Sequence, residues 1–322
     1  IIKYLLKIGV GIDNKTNKYR YTFLHCAMAN ENSEIIKYVV EYIIKHNRKN
    51  AINELDCDGN NALIIQIIHN GKLEVFKLLE KAGCKTDIHN KLGRNLLHIA
   101  VMEKRTEIID YLLKKNICNV NEQDSEGNFP LSLAIAGAKS LDYVKLLIEH
   151  GADYKQKTKD GFSLLMVACE NECVDIVEHI LKNKYYIDIN EKDKYGWTVL
   201  HIAADQNKDI QILELLYKYN CDFKRLTNDG NSLIHFASTN DNSNVLEYVL
   251  SKLFFKDIDK KNVAGETALF KALNFSESTD NIKQLVAAGA NLSDITNDNS
   301  TMLHAAAYNK FDERMVKLLV EE

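Results

Sequence analysis

The chain has 322 residues, 46% of them apolar and 27% charged, and carries a formal net charge of −4 from 41 basic and 45 acidic side chains. That near-balance provides no basic footprint for a nucleic acid and no attraction to an acidic membrane surface. No apolar run approaches the ~20 residues that a bilayer span requires, so an integral membrane segment is not expected.

The first predicted element is a helix, Ile1-Ile2-Lys3-Tyr4-Leu5-Leu6, which starts without an initiator Met, lacks the basic head and cleavage site of a secretory signal and reads as a fragment boundary. After it, one kind of four-residue segment recurs: Thr22 to His25, Asn61 to Ile64, Asn95 to His98, Phe129 to Ser132, Ser163 to Met166, Thr198 to His201, Ser232 to His235, Thr267 to Phe270 and Thr301 to His304. Its third residue is Leu24, Leu63, Leu97, Leu131, Leu165, Leu200, Ile234, Leu269 and then Leu303, at steps of 39, 34, 34, 34, 35, 34, 35 and 34. A fixed period of this length is the mark of a repeat architecture.

Each unit has one plan. A turn rich in Asp, Asn and Gly comes first, as in Asp193-Lys194-Tyr195-Gly196. A short helix follows, opened by Thr, Ser or Asn, whose side-chain oxygen can cap backbone N–H groups. Leu200, Ala203 and Ala204 fall at helical spacing, with small residues where two helices must approach closely. A second, one-sided amphipathic helix then carries apolar residues at threes and fours, as in Ile212 to Leu216. Gly or Asn often ends it, as at Gly83, Gly151 and Gly289.

The recurring segments resemble the T-P-L-H-x-A signature of ankyrin repeats, and Gly151-Ala152-Asp153 and Gly289-Ala290-Asn291 resemble that family's Gly-Ala-Asp turn. The resemblance covers the whole chain. It implies an all-α fold, an ankyrin-repeat α-solenoid of helix-turn-helix units joined by β-hairpin-like loops. The chain 1–322 then reads as a single array: a partial repeat 1–16, full repeats 17–55, 56–89, 90–123, 124–157, 158–192, 193–226, 227–261 and 262–295, and a partial repeat 296–322. Departures exist. Proline stands at the second signature position only at Pro130, the first full unit is longer across His46 to Leu55, and Leu253-Phe254-Phe255 ends one second helix in a segment expected to pack inward or to mark an edge contact.

Stacked repeats bury each other's apolar faces and leave a groove rather than a deep pocket. The resemblance implies a non-catalytic, monomeric scaffold that binds a protein or peptide along its concave side, with no cofactor and no nucleic-acid partner. A different function class is the targeting arm of a larger enzyme or channel, or of a secreted or injected effector. By register, the groove positions include Tyr21 and Arg94 early in the chain. In the middle they include Phe162, Glu170, Asn171, Tyr195, Trp197, Asp205 and Gln206, and near the end Glu266, Phe275, Tyr308 and Asn309. Phe162, Tyr195 and Trp197 put aromatics on adjacent turn tips, a composition found at interface hot spots. Glu170 and Asp205 add an acidic rim suited to a partner with apolar and basic character. The alternative, that Trp197 and Phe162 pack back on their own hairpins, stays open at this point.

Other chemistry is set aside on the residues themselves. His25, His98, His201, His235 and His304 recur at one register position, whole repeats apart, and the resemblance gives them a structural bond to the neighbouring hairpin. The seven cysteines are scattered and odd in number, which points to a reducing, intracellular and cytoplasmic setting. Cys169 and Cys173 with His179 come nearest to a metal cluster, but no second pair is close enough to complete four ligands. Phosphate-loop, dinucleotide and nucleophile-elbow motifs do not occur.

Overall fold

The computed structural model describes residues 15–16, 18–30, 32–46, 49–206, 209–252, 258–276 and 279–308. The leading partial repeat before Lys15, the Leu253-Phe254-Phe255 segment, Asn309 and the terminal helix expected after Met315 lie outside the described residues. The chain divides into two units, the first ending at Lys159 and the second beginning at Asp160.

In the first unit, helices come in pairs. They are α1 (Phe23–Met28) and α2 (Ser33–Lys45), then a single turn α3 (Lys49–Ile52), α4 (Ala62–His69) with α5 (Leu73–Lys81), α6 (Leu96–Met102) with α7 (Thr106–Lys114), and α8 (Pro130–Ala136) with α9 (Leu141–Glu149). The second unit continues with α10 (Leu164–Glu170) and α11 (Val174–Asn183), α12 (Val199–Gln206) and α13 (Gln211–Lys218), and α14 (Leu233–Ala237) and α15 (Ser243–Lys252). It ends with α16 (Ala268–Phe275) and α17 (Thr279–Ala287), then α18 (Met302–Tyr308). The all-α, helix-turn-helix expectation holds. The longer first unit is more than loop: its extra residues form α3, whose Ile52 is fully buried.

Within each unit the first helix of a pair lies against the first helix of the next. The residue five after each signature start makes this possible. Ala100, Ala134, Ala168, Ala203, Ala237 and Ala272 are all fully buried there, so neighbouring helices approach without a side chain between them. Gln66 is the exception, and it turns its amide to donate to the Lys72 carbonyl (2.9 Å). The second helices bury one stripe each, such as Ile212, Leu213 and Leu216 on α13.

The helix starts are capped as the sequence implies. Asn61 Oδ1 accepts from the backbone N–H groups of Leu63 and Ile64, and Asn95 Oδ1 from those of Leu97 and His98. The short helix ends are capped from a distance, by side chains of the next repeat. Arg105 Nε donates to the Ile67 carbonyl (2.8 Å) and its Nη2 to that of Ile68 (2.7 Å), both at the end of α4. Asn240 Nδ2 donates to Ala204 and Asp205 on α12 (2.9 and 3.2 Å).

Each turn tip is closed by its opening side chain. Asp193 Oδ1 accepts from the N–H groups of Tyr195 (2.8 Å) and Trp197 (2.7 Å), and Asp56, Asn90, Asp124 and Asn262 make the same pair of bonds in their own tips. Successive tips are joined by backbone bonds: Asn228 N–H to Tyr195 O (3.1 Å), Val263 N–H to Asp229 O (2.8 Å) and Asn297 N–H to Ala264 O (3.0 Å). This joint requires glycine. Gly196 has φ +80°, and a Cβ there would sit 2.6 Å from the backbone nitrogen of Asn228. Gly196→Ala is therefore expected to destabilise the fold by about 2 kcal/mol, combining left-handed strain with the clash. Gly289→Ala meets no atom within 4 Å at φ +86° and should lose only the strain part. Urea unfolding of the two variants compares them, and equal losses would show that the tip-to-tip approach is unimportant.

Three of the recurrent histidines reach carbonyls 24 to 31 residues ahead, His98 and His235 into the next repeat. His201 Nδ1 accepts from the Thr198 backbone N–H (3.0 Å), which places the ring hydrogen on Nε2, where it donates to the Arg225 carbonyl (3.1 Å). His235 does the same between Ser232 N–H (3.2 Å) and the Glu266 carbonyl (3.1 Å). His98 Nε2 reaches the Asn128 carbonyl on the next tip (3.3 Å).

Candidate functional site

The residue just before each signature segment has two uses. Where it is polar, it serves the tips. Asn60 Nδ2 donates to Asp56 Oδ2 (2.9 Å), and Asn128 Nδ2 to Asp124 Oδ2 (3.4 Å). Arg94 bridges to the next tip, with Nε on Asp124 Oδ2 (3.0 Å) and Nη2 on Glu126 Oε2 (3.1 Å), and its side chain is only 14% exposed. That pairing, with backbone N–H bonds from Asn128 and Glu126, holds the Asp124 carboxyl below its usual range against the opposing effect of burial. Asn231 Oδ1 accepts from Asn262 Nδ2 (2.9 Å), and Glu266 Oε2 accepts from the same amide (2.7 Å). Tyr21, also before a signature, is half-buried, with its ring 5.7 Å from that of Tyr19 and 5.9 Å from His25.

Phe162 and Trp197 occupy this same position in the second unit, and both are half-buried. A phenyl ring brings no polar atom to the tip network. The indole of Trp197 does not fold back on its own hairpin. It stands edge-on against Phe236 of α14, in the next repeat, with ring centroids 4.5 Å apart. Tyr195, two residues earlier, is 56% exposed. Lys194 Nζ lies 4.8 Å over its ring and pairs with Asp160.

The polar residues chosen at the helix ends sit at equivalent places on successive first helices. Glu170 is exposed at the end of α10, and Asn171, half-buried, donates from Nδ2 to the Val167 carbonyl (2.9 Å). Asp205 is half-buried near the end of α12 and accepts from the exposed Gln206 (2.5 Å). Partial desolvation by its neighbours, with Asp160 nearby, raises the Glu170 pKa above the ordinary carboxylate value although the residue keeps an exposed edge. Burial also raises that of Asp205, against the opposing pull of Gln206 and Lys271. The second unit thus gathers Phe162, Tyr195, Trp197, Glu170, Asn171, Asp205 and Gln206 on adjacent repeats, whereas Tyr21 and Arg94 belong to the first unit.

Two residues that support this surface, Phe236, which is buried, and Lys271, were not legible as site residues. Phe236 and Lys271 stand four after their signature starts, where the other repeats carry Cys26, Ile65, Ile99, Leu133, Val167, Ile202 and Ala305. Lys271 is the exception to that apolar series, and this was the available signal. Its Nζ lies 5.8 Å from the Phe236 ring centroid and 5.7 Å from that of Phe275. Beyond it, a shallow groove of about 690 Å³ is lined by Glu266, Phe275, Asp298, His304 and Tyr308 among others. Phe275 and Tyr308 are 59% and 82% exposed. Among the described residues no group of three His, Cys, Asp or Glu side chains is placed to hold a metal ion, and no helix is long and apolar enough to cross a membrane.

Comparison with known proteins agrees with this geometry. The family model for ankyrin repeats in three copies matches residues 1–86, 64–158, 116–193, 165–262 and 234–322. An ankyrin repeat protein of Acanthamoeba polyphaga mimivirus is 25% identical over 325 aligned residues, 81% of this chain and 42% of the relative. The human transient receptor potential cation channel subfamily A member 1 is 26% identical over 75% of this chain and 21% of its own length. A phosphocholine transferase of Legionella pneumophila is 26% identical over 75% of this chain and 25% of its own. The chain therefore spans less than half the length of each of these relatives.

Proposed function

Because the chain belongs to the ankyrin-repeat family, whose arrays are protein-interaction modules and generally non-catalytic, we propose that it is a binding scaffold holding a partner protein or peptide through the groove of its second unit. The observation that carries this reading is the use of aromatics where tips need polar residues. At this position Asn60, Arg94, Asn128, Asn231 and Glu266 serve the tips with hydrogen bonds, while Phe162 and Trp197 present ring surface. Partly exposed aromatic clusters of this kind suit binding hot spots, where truncation to alanine costs ~2 kcal/mol or more.

Affinity capture with the wild-type chain and with the Trp197→Ala, Phe162→Ala double variant tests it. The captured partner's Kd is expected to rise more than ~10-fold, the equivalent of about 1.4 kcal/mol, measured well below the Tm, which loss of the Trp197–Phe236 contact also lowers. Unchanged affinity for that partner would move the site elsewhere.

A second reading is favoured by the share of the relatives that the chain spans. A cation channel subunit and a phosphocholine transferase each carry a matching stretch within a much longer chain. The same scaffold then serves as the recruitment arm of a larger protein. Whether the gene that encodes this chain also encodes a catalytic or channel-forming domain separates the two.

A further inference from the structure

The aromatics of the second unit do not repeat at one register. Trp197 precedes α12, on the tip side. Phe236 lies within α14. Phe275 is the last residue of α16, and Tyr308 the last of α18. Over four successive repeats the ring therefore moves from the tip, across the first helix, to that helix's far end. Phe236 is buried and forms the floor that links the others: Trp197 stands on it (4.5 Å), and Lys271 spans it and Phe275 (5.8 and 5.7 Å). Phe275 and Tyr308 then line one groove.

Carboxylates flank this stripe. Glu266 and Asp298 line the groove with the two exposed rings, and Asp205 lies within electrostatic reach of Lys271. Hydrogen bonds from Thr296 and Ser300 hold the Asp298 carboxyl below its ordinary range, so it is ionised at neutral pH. The complementary surface is apolar along one line and basic beside it.

Backbone geometry selects the form of the occupant. Tip backbone groups are bonded to one another from repeat to repeat, so an extended chain finds no strand edge to join and would cover its own polar backbone without partners. A helix satisfies its backbone internally. Neighbouring first helices lie roughly 8–10 Å apart, and helix residues seven apart rise about 10.5 Å on one face. We infer that the second unit binds a basic amphipathic helix of a partner protein, laid obliquely across the groove, with apolar anchors about seven residues apart on the exposed Phe275 and Tyr308 and a further one two repeats back on Trp197, which stands on the buried Phe236. This rests on the scaffold reading above and names the partner's chemistry. Four repeats correspond to roughly 30 Å, about 20 helical residues.

The test uses a phage-displayed library of random peptides about 20 residues long, selected on the full chain. Selected peptides should be rich in Lys and Arg, carry apolar residues at helical spacing, and become helical by circular dichroism when bound. Trp197 is the chain's single tryptophan, so a tryptophan-free selected peptide should shift or quench its emission saturably. The Phe275→Ala, Tyr308→Ala variant removes two exposed rings from later repeats and leaves Trp197 in place. It should bind the same peptides at least tenfold more weakly. Acidic or proline-rich winners, winners bound in extended form, or winners that bind this variant as tightly as wild type would overturn the oblique helix. If such winners still depend on Trp197 and Phe162, the scaffold reading survives. A library that yields no binder to the wild-type chain overturns both.

Discussion

Acidification from pH 6.5 to pH 4 is expected to strip the second unit of much of its stability, through His201 and His235. Both rings are fully buried, and burial pushes each pKa from the ordinary 6.5 down to about 4. Their Nδ1 atoms accept from Thr198 and Ser232, so a second ring proton must displace a backbone N–H from its bond. Carbonyl bonds from Arg225 and Glu266 favour the charged ring but are outweighed by burial. The charged neighbours are Lys192 and His235 around His201, and Lys271, Lys260 and Glu266 around His235; all but Glu266 are positive in their charged form, the same sign as a new proton, and so oppose it. The unfolded chain therefore binds more protons than the folded one across this window. Stability is fully present above pH 6.5, falls as pH drops toward 4, and changes no further from these groups below it. Each ring contributes on the order of 3 kcal/mol to the loss, at 1.36 kcal/mol per pKa unit. Urea unfolding at several pH values measures it, with Trp197 emission as the local reporter because Trp197 and His201 both pack on Phe236. The His201→Gln, His235→Gln variant should be weaker at pH 7 and much flatter between pH 6.5 and 4. A variant slope as steep as wild type would assign the acid sensitivity to other groups.

The same histidines show what sequence could reveal. Their whole-repeat separation argues against a shared metal or a catalytic dyad, and the bonds that His98 and His235 make to carbonyls of the next repeat are those that the family resemblance implied. The core was equally legible, because Leu200, Ala203 and Ala204 and their equivalents recur at fixed register and are buried in the full repeats, whereas Leu303 of the last is 46% exposed. What was not legible depends on partners a repeat away. Arg105 reads as a solvated basic residue, yet its guanidinium caps α4. Asn240 reads as loop, yet it is buried and bonded to α12. Such bonds depend on the path of each inter-helix loop, which periodicity does not encode. The stripe was half-visible. Trp197, Phe275 and Tyr308 were marked by register, whereas Phe236 was hidden among core positions. The direction of the Trp197 ring also required coordinates, since a tip aromatic can turn either back on its hairpin or forward to the next repeat.

Asn281→Leu should unravel a chain of caps that ends at the groove. Asn281, on α17, is fully buried and donates from Nδ2 to the carbonyls of Ser238 (3.1 Å) and Asn240 (2.7 Å), just past the short helix α14. Asn240 in turn donates to the Ala204 and Asp205 carbonyls at the end of α12. Helices of five to eight residues leave a large share of their carbonyls without internal partners, so these two amides supply bonds the helices cannot make themselves. Leucine matches the volume of asparagine closely enough to pack, but removes both donors. Loss of a buried partner costs roughly 1–3 kcal/mol per group, so about 4 kcal/mol is expected for the two carbonyls. The damage should pass along the stack, because Asn240 is held at its own backbone by Asn281 while it holds α12. Hydrogen exchange therefore distinguishes this from a local loss: amides of α12 and α14 should exchange faster in Asn281→Leu, and those of α4 to α7 should not. Faster exchange confined to α17 would break the proposed linkage and leave Asn281 as an ordinary buried amide.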